Sequence, residues 1–119
     1  MIEVLAIALG AAIGAPSRFI LDRWVVGHAP TKRFPWSLLV VNVLGSAIAG
    51  VVFALTTGNL QVFLLVGVCG ALTTFSGFGW EMHLLWSRSR SRSSFVIALI
   101  VMTASCIAAF ELLYLLFRS

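Results

Sequence analysis

At 119 residues, with 61% hydrophobic and 10% charged residues and a mean hydropathy of +1.07, the chain is far more apolar than a soluble domain, which averages roughly 45–50% apolar and about 25% charged. A bilayer core about 30 Å thick takes about 20 residues per helix, so four crossings leave about 40 residues for ends and connections. No soluble domain fits beside them, which excludes a secreted enzyme, a nucleic-acid-binding domain on a membrane tail and any large extramembrane active site.

The chain therefore reads as one all-α membrane domain over residues 1–119. Eight Lys and Arg against four Asp and Glu give +4, and in a chain this apolar such charge fixes topology rather than binding nucleic acid. Met1-Ile2-Glu3-Val4-Leu5 lacks the basic start and small-residue cleavage pattern of a secretory signal, so the first span is expected to be a retained helix.

Span one is predicted over about residues 2–26, with Gly10 and Gly14 spaced for close helix packing and Pro16, Arg18, Asp22 and Arg23 toward its far end. An intramembrane arginine is a functional hypothesis unless it snorkels, and Asp22, one turn on from Arg18, is its candidate i,i+4 partner. From Phe34 to Trp80 no residue is charged, and Thr56-Thr57-Gly58-Asn59 divides this stretch into span two, residues 36–55, and span three, residues 60–85. In span two Gly45 and Ala49 have the same packing spacing. Asn42 admits two roles, interhelical glue or pore lining, because a carboxamide in hydrocarbon needs partners.

Span three carries Gly70-Ala71-Leu72-Thr73-Thr74-Phe75-Ser76-Gly77 near the middle of the bilayer. Either the helix breaks near residues 70–76, at a place where protein or a water-filled cavity meets the unwound backbone, or the hydroxyls bond back to the preceding turn and the glycines serve packing. Span four is predicted over about 95–117, after the polar connection Ser87 to Ser94. Cys69 and Cys106 lie in apolar stretches without metal or disulfide spacing and read as packing residues. Glu81 and Glu111 fall near span ends, and His28 and His83 are isolated at the interfaces. No nucleophile–base pair or phosphate loop is present in the pattern, so no enzyme is expected.

Three segments taken together resemble the CrcB/Fluc fluoride channel family, small four-helix membrane proteins that work as antiparallel dimers. They are Gly10 to Phe19 (GAAIGAPSRF), Phe34-Pro35-Trp36 leading to Val41-Asn42-Val43-Leu44-Gly45-Ser46, and Gly67 to Phe78 (GVCGALTTFSGF) with Glu81. The resemblance implies a fluoride-selective channel subunit with a broken third helix, exporting fluoride passively from the cytoplasm. It also implies roles. Asn42, Phe75 and Phe78 match the fluoride path, with Thr103 and Ser105 as the polar positions remaining in span four. Arg18 matches an arginine near the vestibule. Gly70 and Thr73 match positions whose backbone carbonyls help hold a structural sodium ion at the dimer axis. No organic cofactor is implied.

The sequence departs from the family pattern in three places. Ser37-Leu38 stands where Gly-Thr is usual, Gly77 where threonine is commoner, and Val101 and Ala109 flank Ser105 in span four. One of the two pores is accordingly expected to be incomplete on this chain's side. The first and third connections share one side of the membrane and hold Arg23, Lys32, Arg33, Arg88, Arg90 and Arg92, against Arg118 alone at the other. Such a positive-inside bias fixes one orientation, with both termini extracellular. An antiparallel dimer then needs an oppositely oriented paralogous subunit, with a homodimer as the alternative. Two further readings remain: a small proton-coupled multidrug transporter, which resembles a different pattern with a glutamate deep in its first helix, and a non-conducting structural subunit. For the Ser-Arg run, contact with nucleic acid or anionic lipid is the alternative to a cytoplasmic topology signal, which short loops favour.

Overall fold

A mostly apolar run from Ile2 carries the first helix for 27 residues, through Pro16 and into a charged far end, and it is one of four long apolar crossings in the chain. The computed structural model describes residues 1–28, 34–88 and 92–119; Lys32, Arg33 and Arg90, part of the charge asymmetry, lie outside the described residues. Helix α1 spans Ile2–His28 and α2 spans Trp36–Leu55. The third crossing, Gly58–Arg88, is assembled from pieces: α3 (Gly58–Gln61), a π-helical segment (Val62–Cys69), α4 (Gly70–Leu72) and, after an interruption at Thr73 and Thr74, α5 (Phe75–Arg88). Helix α6 spans Arg92–Phe117. Among the described residues there is no strand, and four helices are long and apolar enough to cross a membrane.

Within these spans only 11–28% of the most apolar window is buried. A soluble bundle would cover its outside with polar groups; here the outside is Leu, Ile, Val and Phe, as a lipid-facing or subunit-facing surface requires. All four tryptophans, Trp24, Trp36, Trp80 and Trp86, lie toward the end where the basic connections are, with Arg92 stacked 5.1 Å over the Trp86 ring. This is the interfacial aromatic belt of a membrane protein, concentrated on one leaflet.

With no hydrophobic gain from moving apolar groups between lipid and protein, the helices associate by close packing of small residues. Helix α1 lies against the π-helical segment, and α2 against α6. Gly10 and Gly67 face each other so tightly that a methyl group on Gly10 would sit 2.8 Å from the Gly67 Cα and 2.9 Å from the Val68 nitrogen. Gly14 packs on the Val68 carbonyl and Ala71. On α2 the close approach is made by Gly45, against Thr73, and by Gly50, against the Phe110 carbonyl. Gly50, which the small-residue spacing does not single out, is the glycine that meets α6.

Local capping explains the turn between the second and third crossings. Thr56 and Thr57 are extended, Thr56 bonds back to the Val52 carbonyl through both its N–H (2.9 Å) and its hydroxyl (2.7 Å), and the Gln61 side-chain amide donates to the Thr56 carbonyl at 2.8 Å. Gly58, with φ +64°, then takes the left-handed conformation that a side chain would resist. Orphan carbonyls at the end of α2 thus find donors within the protein, as the membrane demands.

A groove and a vestibule around a broken helix

The interruption in the third crossing has a specific hydrogen-bond pattern. In a continuous helix the Thr74 N–H would go to the Gly70 carbonyl and the Gly77 N–H to the Thr73 carbonyl. Instead the Thr74 N–H donates to Asn42 Oδ1 at 2.9 Å, and the Gly77 N–H donates to Thr74 Oγ1 at 3.0 Å. Thr73 turns extended (φ −80°, ψ 163°), while its hydroxyl and N–H both return to the Cys69 carbonyl at 2.9 Å. The hydroxyl does bond back one turn, as one sequence reading allowed, yet the helix still breaks at the next residue. Thr74 caps α5 in the manner of an N-cap threonine.

Asn42 makes a second contact, its amide donating to the Thr74 carbonyl at 3.4 Å. The side chain therefore bridges α2 to the break as an interhelical tie, and it also lines a groove. That groove, about 340 Å³, is walled by Asn42, Ser46, Thr73, Thr74, Phe75, Phe78, Met102, Thr103 and Cys106. The two phenylalanine rings lie 5.9 Å apart at 37°, and Phe75 is 85% exposed, so its ring is free to meet whatever enters. Four of the five predicted path residues, Asn42, Phe75, Phe78 and Thr103, come together here.

Ser105 is the fifth, and it does not line the groove. Helical spacing explains this: Met102, Thr103 and Cys106 share one stripe of α6, while Ser105 stands about 200° around the helix from Thr103. Cys106 takes the place expected of a hydroxyl. Ser46, Thr74, Met102 and Cys106 are lining residues that sequence reasoning did not assign to the path. Ser46 and Cys106 could have been found by stepping one turn from Asn42 and Thr103.

A larger cavity, about 750 Å³, opens toward the basic end between α1, α2 and α5. Arg18 lines it, as do Asp22, Trp36, Ser37, Leu38, Ser76, Gly77 and Glu81. The expected Arg18–Asp22 pair does not form. Asp22 instead accepts a hydrogen bond from the Ser37 hydroxyl across the helix interface, and among the described residues no ion pair joins Arg18 to Asp22 or Glu81. Trp36 presents a buried indole N–H on the same wall, with no hydrogen-bond partner among the described residues.

Two departures from the family pattern meet on this wall. Leu38 is buried with Met82, Ala98 and Met102, and a methyl group on Gly77 would lie 3.4 Å from Leu38 Cδ1 and 2.8 Å from Thr74 Cγ2. A side chain at 77 would press on the Thr74 side chain first and reach the Leu38 methyl group next, so glycine leaves room there for both.

Gly45 supports the break from beneath, since a Cβ there would run into the Thr73 methyl group. Gly45→Ala is expected to lower stability by about 1–2 kcal/mol, the ordinary cost of overpacking by one methyl, read as a lower thermal midpoint in detergent.

The amides four residues on from Gly70 and Thr73, those of Thr74 and Gly77, donate to side chains, so neither closes on its helical carbonyl. Two carbonyl oxygens freed within four residues at a helix C-terminus are hard, partially negative donors, of the chemistry that an alkali cation takes. Helix α5 starts on the far side of the interruption, so its first amides point partial positive charge the other way.

The family model for CrcB-like protein, Camphor Resistance (CrcB), matches residues 5–115. The chain is 42% identical to the fluoride-specific ion channel FluC of Hahella chejuensis over 91 residues, 71% of this chain and 68% of that protein. It is 41% identical to FluC of Paramagnetospirillum magneticum over 89 residues (68% and 69% of the two chains) and 43% identical to FluC of Magnetococcus marinus over 96 residues (75% and 77%). With four membrane-spanning helices and a family match over nearly its whole length, this multi-pass membrane protein belongs to the CrcB family.

Proposed function

We propose that this chain is one subunit of a fluoride-selective channel, an ion channel rather than an enzyme, through which fluoride leaves the cytoplasm down its electrochemical gradient. The observation that carries the reading is the groove at the broken helix, where Asn42, Phe75, Phe78 and Thr103 converge, in a chain whose relatives are named fluoride-specific ion channels. An aromatic ring is positive at its edge. Ring edges, one remaining amide N–H of Asn42, the Thr103 hydroxyl and the α5 N-terminus offer a small, hard anion several weak donors in place of its water. Conduction needs binding that is multiple and weak enough to release, and among the described residues no full positive charge lines this groove.

The proposed assembly is an antiparallel dimer with an oppositely oriented paralogous subunit, the basic end of this chain facing the cytoplasm and both its termini outside. Two features favour a different partner over a second copy. The charge asymmetry fixes one orientation, and Leu38 and Gly77, which stand where the resembled family usually has threonines, both line the cavity wall. Sodium would supply a central positive charge between the subunits. The Gly70 and Thr73 carbonyls would hold this chain's side of it, structurally and without transport.

The test is fluoride-electrode efflux from liposomes. Co-expression with the paralogue is expected to give efflux that the purified chain alone does not; robust efflux from the chain alone would establish the homodimer instead.

A further inference from the structure

We infer that Asn42 and Thr74 are positioning residues that hold the Gly70 and Thr73 carbonyls open, so that the groove and the cation cradle are set by the same two side chains. The inference rests on the sodium site of the proposed function and adds to it a cause. Each carbonyl of that pair has one natural competitor for its lone pair, the amide four residues on. For Gly70 that amide belongs to Thr74, and Asn42 Oδ1 takes it at 2.9 Å. For Thr73 it belongs to Gly77, and Thr74 Oγ1 takes it at 3.0 Å. Two side-chain acceptors thus divert the two amides that would otherwise close the helix over the two oxygens.

The diversion is directional. Asn42 reaches the break from a different helix and also donates to the Thr74 carbonyl at 3.4 Å, so it fixes Thr74 from both ends. Thr74 then places its own hydroxyl, which is within 3.1 Å of Ser76 Oγ, over the first turn of α5. Thr74 also lies on the walls of both the groove and the vestibule. A helix that resealed at this point would withdraw the carbonyls from a cation and swing the Phe75 ring off its place in the groove.

The prediction separates the hydroxyl from the bulk of Thr74. In the assembled dimer Thr74→Val keeps the volume and loses the acceptor, whereas Thr74→Ser keeps the acceptor. Sodium affinity, read by calorimetry on detergent-purified dimer, is expected to fall tenfold or more in Thr74→Val and to stay within about twofold of native in Thr74→Ser. Asn42→Leu is expected to weaken sodium similarly and to speed hydrogen exchange at the Thr74 amide, read by mass spectrometry. Native sodium affinity in both Thr74→Val and Asn42→Leu overturns the inference, as does an equal loss in Thr74→Ser and Thr74→Val, which marks a packing role. The outcome is independent of fluoride flux. A native dimer that conducts fluoride without binding sodium overturns the inference and leaves the channel reading standing; one that binds sodium with the expected variant pattern yet carries no fluoride does the reverse.

Discussion

Fluoride efflux is expected to fall about 100-fold when Phe75 and Phe78 are both replaced by isoleucine in the assembled channel. The ring edge attracts an anion for the same reason that the ring face attracts a cation, and such contacts are worth about 0.5–2 kcal/mol each. At about 1.4 kcal/mol per factor of ten in rate, two lost edges account for the figure, and Phe75→Ile alone should cost about tenfold. Isoleucine keeps an apolar side chain of comparable reach, so the groove is neither opened nor made polar.

The two positions differ in a way that makes the experiment clean. Phe75 is 85% exposed and supports no core, so its replacement leaves the subunit's own packing intact. Phe78 packs on the Leu38, Met82, Ala98 and Met102 cluster, and Phe78→Ile therefore lowers stability somewhat as well. Efflux measured per folded dimer, with helix content checked by circular dichroism, separates the two effects. Unchanged efflux in the double variant would leave this chain as a scaffold for a pore lined by its partner.

The residues that carry this prediction are visible in the sequence because their chemistry is out of place in hydrocarbon. Asn42 and the Gly70–Gly77 run stand out against an apolar background, and the need to satisfy every polar group in lipid converts such exceptions into a break or a contact. The four crossings are legible for the same reason. The π-helical segment is not. Val62 to Cys69 is apolar throughout, and nothing in its composition tells a wide turn from an ordinary one; only the structure shows that this segment is also the one packed on α1, with Gly67 against Gly10. Helical spacing alone pairs Asp22 with Arg18, whereas its partner Ser37 lies fifteen residues away across an interface. Spacing predicts neighbours within one helix and says nothing of what the next helix offers. Ser105 shows the converse limit: residue type singles it out, and the face of α6 puts Cys106 rather than Ser105 on the groove wall.

Gly10→Val is the change expected to damage the subunit most. A Cβ at this position would lie 2.8 Å from the Gly67 Cα and 2.9 Å from the Val68 nitrogen, as well as against the Phe63 carbonyl oxygen. All three are backbone atoms, so no side chain can rotate away; α1 and the third crossing must separate. In lipid that separation is not resisted by the hydrophobic effect, and it loosens the packing one turn on, where Gly14 meets Val68 and Ala71. Overpacking in a close-packed interior costs about 1–3 kcal/mol, and a branched side chain against backbone belongs at the upper end. The displaced π-helical segment leads directly into Gly70 and the break, so the damage reaches the carbonyls and the groove. A marked fall in thermal midpoint is therefore expected together with loss of fluoride efflux. Gly27→Val is the control, since nothing lies within 4 Å of a Cβ there. Equal stability of the two variants would mean that α1 does not pack on the third crossing through its glycines.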